Sequence, residues 1–252
     1  EYFYGMATVL ILNYHRITQE NEFIDARYRS FTLAETELEN HFQLLRNLNI
    51  PVIQLSELSN VAFSGRCVAL TFDDGHQSDI EIVLPLLKKF QFSATFFPVV
   101  HHINKEGYVN WEELHLLSNE GHTIGSHGLT HRRLSALTND EARHEMLTSK
   151  ELLEEQLGIS VRLFSFPYGD YNKAISDMIL ETGYEQSVST EFGFNCTPNN
   201  SIVLKRWNVK RSTSTRELKR VLEGNFLTLT KYRLKARFSN LLRSIQRNLT
   251  HL

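Results

Sequence analysis

The feature that most constrains the fold is an alternation kept up along the chain: short apolar runs rich in Val, Ile and Phe are separated by longer segments with apolar residues at helical spacing. That is the sequence form of parallel strands joined by crossover helices. The period predicts strands near Thr8–Asn13, Val52–Leu55, Cys67–Phe72, Ser93–Val99, Thr123–Gly125, Arg162–Phe166, Glu185–Ser189 and Ile202–Trp207. Of the helices between them, Asn139–Leu157 is the most fully specified. Thr138 with Glu141 makes a capping box, Leu147, Leu153 and Leu157 supply an apolar stripe, and Gly158 closes the end. Others are expected over Leu33–Leu48, ending before Pro51, and over Asp79–Phe90, where Pro85 demands a kink or a late start. Seven or eight strands with intervening helices suit an α/β fold, a TIM-like (β/α) barrel, complete or incomplete.

A chain of 252 residues suits one such barrel, and no linker rich in Gly, Pro or Ser divides it. The expected organisation is a catalytic body over 1–215 and a basic helical extension over 216–252 packed on it. In that extension nine Lys or Arg stand against two Glu, although the whole chain carries a formal charge of −2. The body is therefore acidic, which argues against nucleic acid as its partner. Leu234, Phe238, Leu241, Leu242, Ile245 and Leu249 recur at helical spacing opposite the basic residues. Such a helix packs on the barrel or makes peripheral contact with an anionic membrane. No apolar run approaches the roughly 20 residues that span a bilayer. The two cysteines, Cys67 and Cys196, make no disulfide framework. No secretory leader is expected from EYFYGMATVL, and the expected location is the cell envelope or the cytoplasmic membrane face rather than free secretion.

Chemistry concentrates in four stretches. The apolar segment Cys67–Phe72 ends on two adjacent carboxylates and a glycine, Asp73, Asp74 and Gly75. At the carboxyl end of a barrel strand these lie on the active face. Side by side they repel, and a bound cation is the simplest reason for both to stay charged. Successive strand residues point opposite ways, so both reach one site only if the strand has ended by Asp73. In GHTIGSHGLTHRRL, His127 and His131 are four apart, and a helical turn or tight loop would bring both imidazoles to one side of a divalent metal; two surface histidines is the alternative. With one Asp they would leave coordination positions open, the form of a catalytic site. The stretch LFSFPYGDYN runs a strand into Pro167, Tyr168 and Gly169, where a backbone N–H and a ring could meet substrate, or simply turn the chain. In VLILNYHRI, His15 follows the first strand and has the pKa for proton transfer near neutrality, although a lone histidine is more often structural.

Together these stretches resemble the polysaccharide deacetylase family, the NodB-homology domain of carbohydrate esterase family 4. Thr71–Gly75 (TFDDG) is similar to its first motif, Ser126 to His131 (SHGLTH) to its second, and Phe166–Gly169 (FPYG) to its third, over about Val9 to Val209. The resemblance implies a deformed barrel that removes acetyl groups from N-acetylated sugars. It implies that Asp74, His127 and His131 hold a divalent metal, usually zinc, with cobalt or nickel as alternatives, and that Asp73 is the general base. It also implies that Pro167, Tyr168 and Gly169 meet substrate, with the Tyr168 N–H on the oxyanion.

Two family features are displaced. Ser165 stands where the third motif usually begins with arginine, and no late Leu-x-His supplies an acid. Both gaps resemble the poly-N-acetylglucosamine deacetylase branch, in which a histidine after an N-terminal strand serves as acid; His15 matches it. Arg206, after the strand from Ile202 to Lys205, is the candidate to stand beside Asp73. Tyr108, Trp111, Tyr168 and Tyr171 are candidates for sugar stacking. The partner so implied is an N-acetylated glycan. Hydrolysis of a non-sugar amide or imide on the same barrel, and a non-catalytic glycan-binding relic, are the alternatives.

Overall fold

The computed structural model describes residues 7–19, 26, 29–60, 65–197, 201–232 and 234–235. Of the apolar positions named for the C-terminal helix, those from Phe238 onward lie outside the described residues.

In chain order the elements are β1 (Ala7–Tyr14), β2 (Ile17–Thr18), β3 (Leu33–Ala34), α1 (Glu35–Asn47), β4 (Val52–Ile53), β5 (Gly65–Asp74), α2 (Leu84–Phe90), β6 (Thr95–Pro98), α3 (Trp111–Asn119) and β7 (Thr123–Ile124). They continue with α4 (Asn139–Leu157), β8 (Leu163–Ser165), α5 (Lys173–Glu181), β9 (Gln186–Val188), β10 (Asn195–Cys196), β11 (Val203–Leu204), β12 (Arg206–Asn208) and α6 (Thr215–Leu222). One sheet runs β12, β1, β5, β6, β7 in parallel, with β10 antiparallel and β4 parallel as short additions. A second runs β8, β9, β11. A parallel bridge from Ser126 to Phe164 joins β7 to β8, and β11 passes through Lys205 into β12, which pairs β1. The two sheets thus close on each other as a deformed barrel.

The alternation along each strand sorts its side chains into two cores. Leu10, Leu12, Tyr14, Val68, Leu70, Phe72 and Phe96 pack outward in the cluster that holds the helices. Tyr14, Phe72 and Phe96 stack across three neighbouring strands with centroids 5.2 Å apart. Val9, Ile11, Cys67, Ala69 and Phe97 fall in the other cluster with Leu163, Val188 and Leu204, inside the barrel. That inner layer sets which residues reach the site above it.

Most elements lie where the period placed them. Helix α4 begins and ends as expected, with its Thr138–Glu141 capping box and a left-handed Gly158. Its buried face, however, is Ala142, Glu145, Met146, Ser149, Leu153 and Leu157; Leu147 points outward and is 38% exposed. Pro85 produces a late start: a π-helical turn over Asp79–Val83 leads into α2, where Pro85 occupies the first turn and needs no partner for its missing N–H. The last predicted strand is two strands, broken at Lys205, so Arg206 opens β12. Leu218, Val221 and Leu222 of α6 are buried in the outer cluster, which ties the first basic residues of the C-terminal region to the barrel. Cys67 and Cys196 are both free, and no described helix is long and apolar enough to cross a membrane.

Candidate active site

Carried upward, the inward-facing positions change from apolar to polar. After Val9 and Ile11 comes Asn13; after Cys67 and Ala69 come Thr71 and Asp73; after Leu163 comes Ser165; after Leu204 comes Arg206. These five residues meet as one buried network. The Arg206 guanidinium, fully buried, makes a two-pronged bond to Asp73, Nη1 to Oδ1 at 2.8 Å and Nη2 to Oδ2 at 2.7 Å. It also donates to Asn13 Oδ1 (3.0 Å), Thr71 Oγ1 (3.2 Å), Ser165 Oγ (2.9 Å) and the Ser189 carbonyl (2.9 Å). Asp73 Oδ2 accepts two further bonds, from Asn13 Nδ2 at 3.0 Å and Ser165 Oγ at 3.2 Å. Burial alone would raise this carboxyl, but Arg206 and His127 pull it down to about 2. Ser165, the residue in the usual place of the motif arginine, is thus a shared partner of Asp73 and Arg206.

Asp74 reaches the site by a different route. Strand pairing does not stop at Asp73: Asp73 and Asp74 pair Phe97 and Pro98. Alternation would turn Asp74 away, yet its φ is 80°, a left-handed conformation that Asp tolerates better than most residues, and both carboxylates line one pocket. Gly75, at φ 73°, completes the turn where an added Cβ would lie 2.9 Å from the Pro98 side chain.

The histidines are presented by a loop rather than a helix. The Gly125 backbone passes so close to the Phe97 ring that a Cβ would come within 2.4 Å of it. The loop is pinned by His127 N to Pro98 O (3.0 Å), by bonds from the Leu129 and Thr130 N–H groups to the buried Glu145 carboxylate (3.1 and 2.8 Å), and by the positive φ of Gly128 and His131. Its result is a cluster in which one ligand atom each from Asp74, His127 and His131 lies within 4.8 Å of the others. Nε2 of His127 and of His131 stand 3.5 and 3.4 Å from Asp74 Oδ1. Three donors around an ion at about 2.1 Å in tetrahedral array are separated by about 3.4 Å, so the set fits a zinc-like cation. His127 Nδ1 lies 2.7 Å from the Ser165 carbonyl; as donor there it leaves Nε2 as the free lone pair. Burial, then His127, lowers His131 to about 4, keeping it neutral as a ligand must be. Asp74 is held well below the usual carboxylate range: burial opposes this, and the His76 hydrogen bond and the imidazoles of His15 and His127 outweigh it.

His15 is half-buried beside the cluster, its ring 4.8 Å from that of Phe31, and its Nδ1 has no hydrogen-bond partner among the described residues. Burial lowers its pKa, while Asp74 and Asp73 work in the other direction. Tyr168 is in a left-handed conformation at φ 61°, 47% exposed, with its ring 4.6 Å from that of His131. Its N–H donates to nothing among the described residues, whereas Gly169 N bonds Phe166 O. Of the four aromatic candidates for stacking, Tyr108 and Tyr168 line the cavity of about 970 Å³ above the barrel. Trp111 packs on the core at the start of α3, and Tyr171 stacks on Phe166.

The pattern reading overlooked one close neighbour: His76, whose Nε2 is 3.5 Å from Asp74 Oδ2 and whose ring stacks on Tyr108 at 5.1 Å. Its place immediately after Asp-Asp-Gly was the available signal. Thr71 was marked only as the first residue of TFDDG, and Asn13 carried no signal beyond its inward register.

The model of the polysaccharide deacetylase family matches residues 60–187, just over half of the chain. The chain belongs to the polysaccharide deacetylase family. Among its curated relatives, YxkH of Bacillus subtilis is 29% identical over 74% of this chain and 66% of its own length. The peptidoglycan-N-acetylglucosamine deacetylase of Bacillus cereus is 36% identical over 43% of this chain, and the chain spans 40% of it. The poly-β-1,6-N-acetyl-D-glucosamine N-deacetylase of Staphylococcus aureus is 24% identical over 75% of the chain and 74% of that protein. The first two are thus covered over less than two thirds of their length. In fold, the deacetylase PplD of Streptococcus pyogenes matches with a TM-score of 0.76 at 20% identity, over 85% of this chain and 98% of that one. IcaB from Ammonifex degensii matches at 0.71 and 21%, over 81% and 93%.

Proposed function

We propose that the protein is a metal-dependent amide hydrolase that removes N-acetyl groups from amino sugars of a polysaccharide or its precursor. The observation that carries this is the pair of neighbouring aspartates, one bound in two prongs by Arg206 and the other completing an Asp-His-His donor set. A divalent cation held by Asp74, His127 and His131, zinc before cobalt or nickel, would polarise the acetamide carbonyl and acidify a water, which the site needs because a carboxylate held near 2 is a weak base.

The chain's own residues divide the remaining work. Arg206 keeps Asp73 ionised at neutral pH, so it is ready to take the proton of the attacking water. The Tyr168 N–H, which has no partner among the described residues, donates to the oxygen that becomes negative as the carbonyl turns tetrahedral, and Pro167 and Gly169 hold that peptide in its left-handed turn. His15 stands beside the two aspartates on the cavity wall, in position to pass a proton to the departing amine; Asp74 and Asp73 oppose, without reversing, the burial that lowers its pKa. The products are acetate and a sugar bearing a free amine. Relatives named for N-acetylglucosamine polymers support the sugar class. Arg206 against Asp73 favours catalysis over a non-catalytic relic, and the two pocket tyrosines favour a sugar over a cyclic imide. Exposed Phe226, Leu227 and Leu234 stand near Lys231 and Lys235 at the end of the described chain. They support peripheral contact with an anionic membrane, and with it a location at the envelope or the inner membrane face.

The test is acetate release from N-acetylglucosamine oligomers and polymers by metal-stripped protein, with and without added zinc or cobalt. Release should depend on metal, and Asp73→Asn should lower kcat by about 10²–10⁴-fold while metal still binds. Equal turnover by wild type and Asp73→Asn on every substrate would remove Asp73 from the reaction.

A further inference from the structure

Beyond the aspartate and histidine groups, the cavity has a wall of different character. Six cationic side chains line it, Arg16, Arg133, Arg206, Lys210, Lys231 and Lys235, against three carboxylates, Asp73, Asp74 and Glu217. On a chain of net charge −2 this concentrates positive charge at one place. Two of the acids are already paired, Asp73 with Arg206 and Glu217 with Lys231 at 3.1 Å. Arg133 lies 4.2 Å over the Tyr168 ring. Lys210 is left with no carboxylate partner among the described residues; its Nζ sits 5.0 Å over the face of Phe31, the ring that also touches His15. Lys235 lines the same wall, and burial together with Lys235 lowers the Lys210 pKa. A half-buried ammonium on the same wall as a second cation is unfavourable for the protein alone and becomes favourable when an anion binds at that wall.

We propose that the acetylated glycan carries an anionic group, phosphate or carboxylate, beside the sugar that is deacetylated, and that Lys210 and Lys235 receive it across the Phe31 ring. The proposal rests on the deacetylase reading and adds the substrate's charge to it. A bound divalent cation would add to the positive potential of the wall, so an anionic chain would be drawn in and a neutral one would not.

The test compares three N-acetylglucosamine oligomers of one length: neutral, bearing a phosphomonoester, and with a neighbouring uronic acid. At low salt kcat/KM should favour a charged oligomer by about tenfold or more, and the preference should shrink as ionic strength rises to about 0.2 M. Lys210→Gln and Lys235→Gln should each reduce the charged-to-neutral ratio, through KM rather than kcat. The phosphate and uronate arms show which anion the wall takes. Equal rates on all three oligomers, or a ratio unchanged in both variants, would overturn the proposal and leave deacetylation standing. If no oligomer loses acetate, the deacetylase reading fails, and the wall is judged by calorimetric binding of N-acetylglucosamine 1-phosphate. Salt-sensitive binding lost in Lys210→Gln supports the anion site, and no binding to wild type overturns it.

Discussion

Asp73 and Asp74 are adjacent in the chain and kept ionised by opposite means. Asp73 follows the strand register into the barrel, where Arg206, Asn13 and Ser165 satisfy it entirely from within the protein. Asp74 breaks the register through its positive φ, accepts from His76 on Oδ2 at 3.5 Å, and turns Oδ1 to the Nε2 atoms of His127 and His131 at 3.5 and 3.4 Å, which carry a lone pair when each ring holds its proton on Nδ1. One carboxylate therefore has its counter-charge within the protein, and the other presents an oxygen to the space where the proposed cation would sit. A single peptide step separates the proposed proton acceptor from the proposed cation ligand, and substitutions at the two positions should separate accordingly.

The largest effect is expected on the Asp73 side. Arg206→Met leaves a buried carboxylate without its counter-charge, and breaking such a pair costs about 3–5 kcal/mol. The double variant Arg206→Met with Asp73→Asn should recover much of this, because no lone charge stays behind. Asp73 also predicts the acid behaviour. Its folded pKa, about 2, is below the ordinary value of about 3.9, so its contribution is complete above about pH 4 and is lost as pH falls through about 2. Over that window wild type should lose on the order of 2 kcal/mol from this group, and Arg206→Met should not. Urea unfolding at the two ends of the window checks both statements. An Arg206→Met protein as stable as wild type, with the same acid slope, would mean that the pair contributes nothing net.

On the Asp74 side the expected effect is smaller and needs metal. Zinc or cobalt at about a hundred times its dissociation constant should stabilise the folded protein by about 2.7 kcal/mol. For a domain of this size that raises Tm by roughly 5–10 °C. Asp74→Asn should lose the shift, whereas Asp73→Asn should keep it while losing turnover. If both substitutions abolish the metal shift equally, the division of labour between the two aspartates is wrong.

Much of this division could be read from the sequence because each part rests on a local signal. Strand periodicity placed Asp73 and Ser165 at strand ends, and the four-residue spacing of His127 and His131 survives whether the segment is helix or loop. What could not be read was the direction of Asp74, since a left-handed aspartate interrupts the two-residue period on which direction depends. The contact between Arg206 and Asp73, 133 residues apart, was expected through the family resemblance alone; no local period carries it, and the β11–β12 break at Lys205 shows how the last stave returns to β1. Leu147 failed for the reverse reason: a stripe read by eye along α4 drifted off the buried face, where Glu145 and Ser149 are used instead to hold the histidine loop and Ser126.

The smallest expected effect isolates what holds Asp74 in place. His76 approaches Oδ2, the oxygen opposite the one that faces His127 and His131, and Tyr108 stacks on its ring. A bond there fixes which carboxylate oxygen is presented to the cation, in the way that outer partners of metal ligands generally do. His76→Ala should therefore weaken zinc binding by about tenfold, the lower end of the 10–100-fold range for such partners. It should leave the acid slope set by Asp73 and Arg206 unchanged, because neither residue touches it. His76→Gln, which can still donate to Oδ2, should restore part of the affinity. Equal zinc affinity in wild type and His76→Ala, measured by competition with a chelator, would mean that the backbone of the Asp74 turn alone orients the carboxylate.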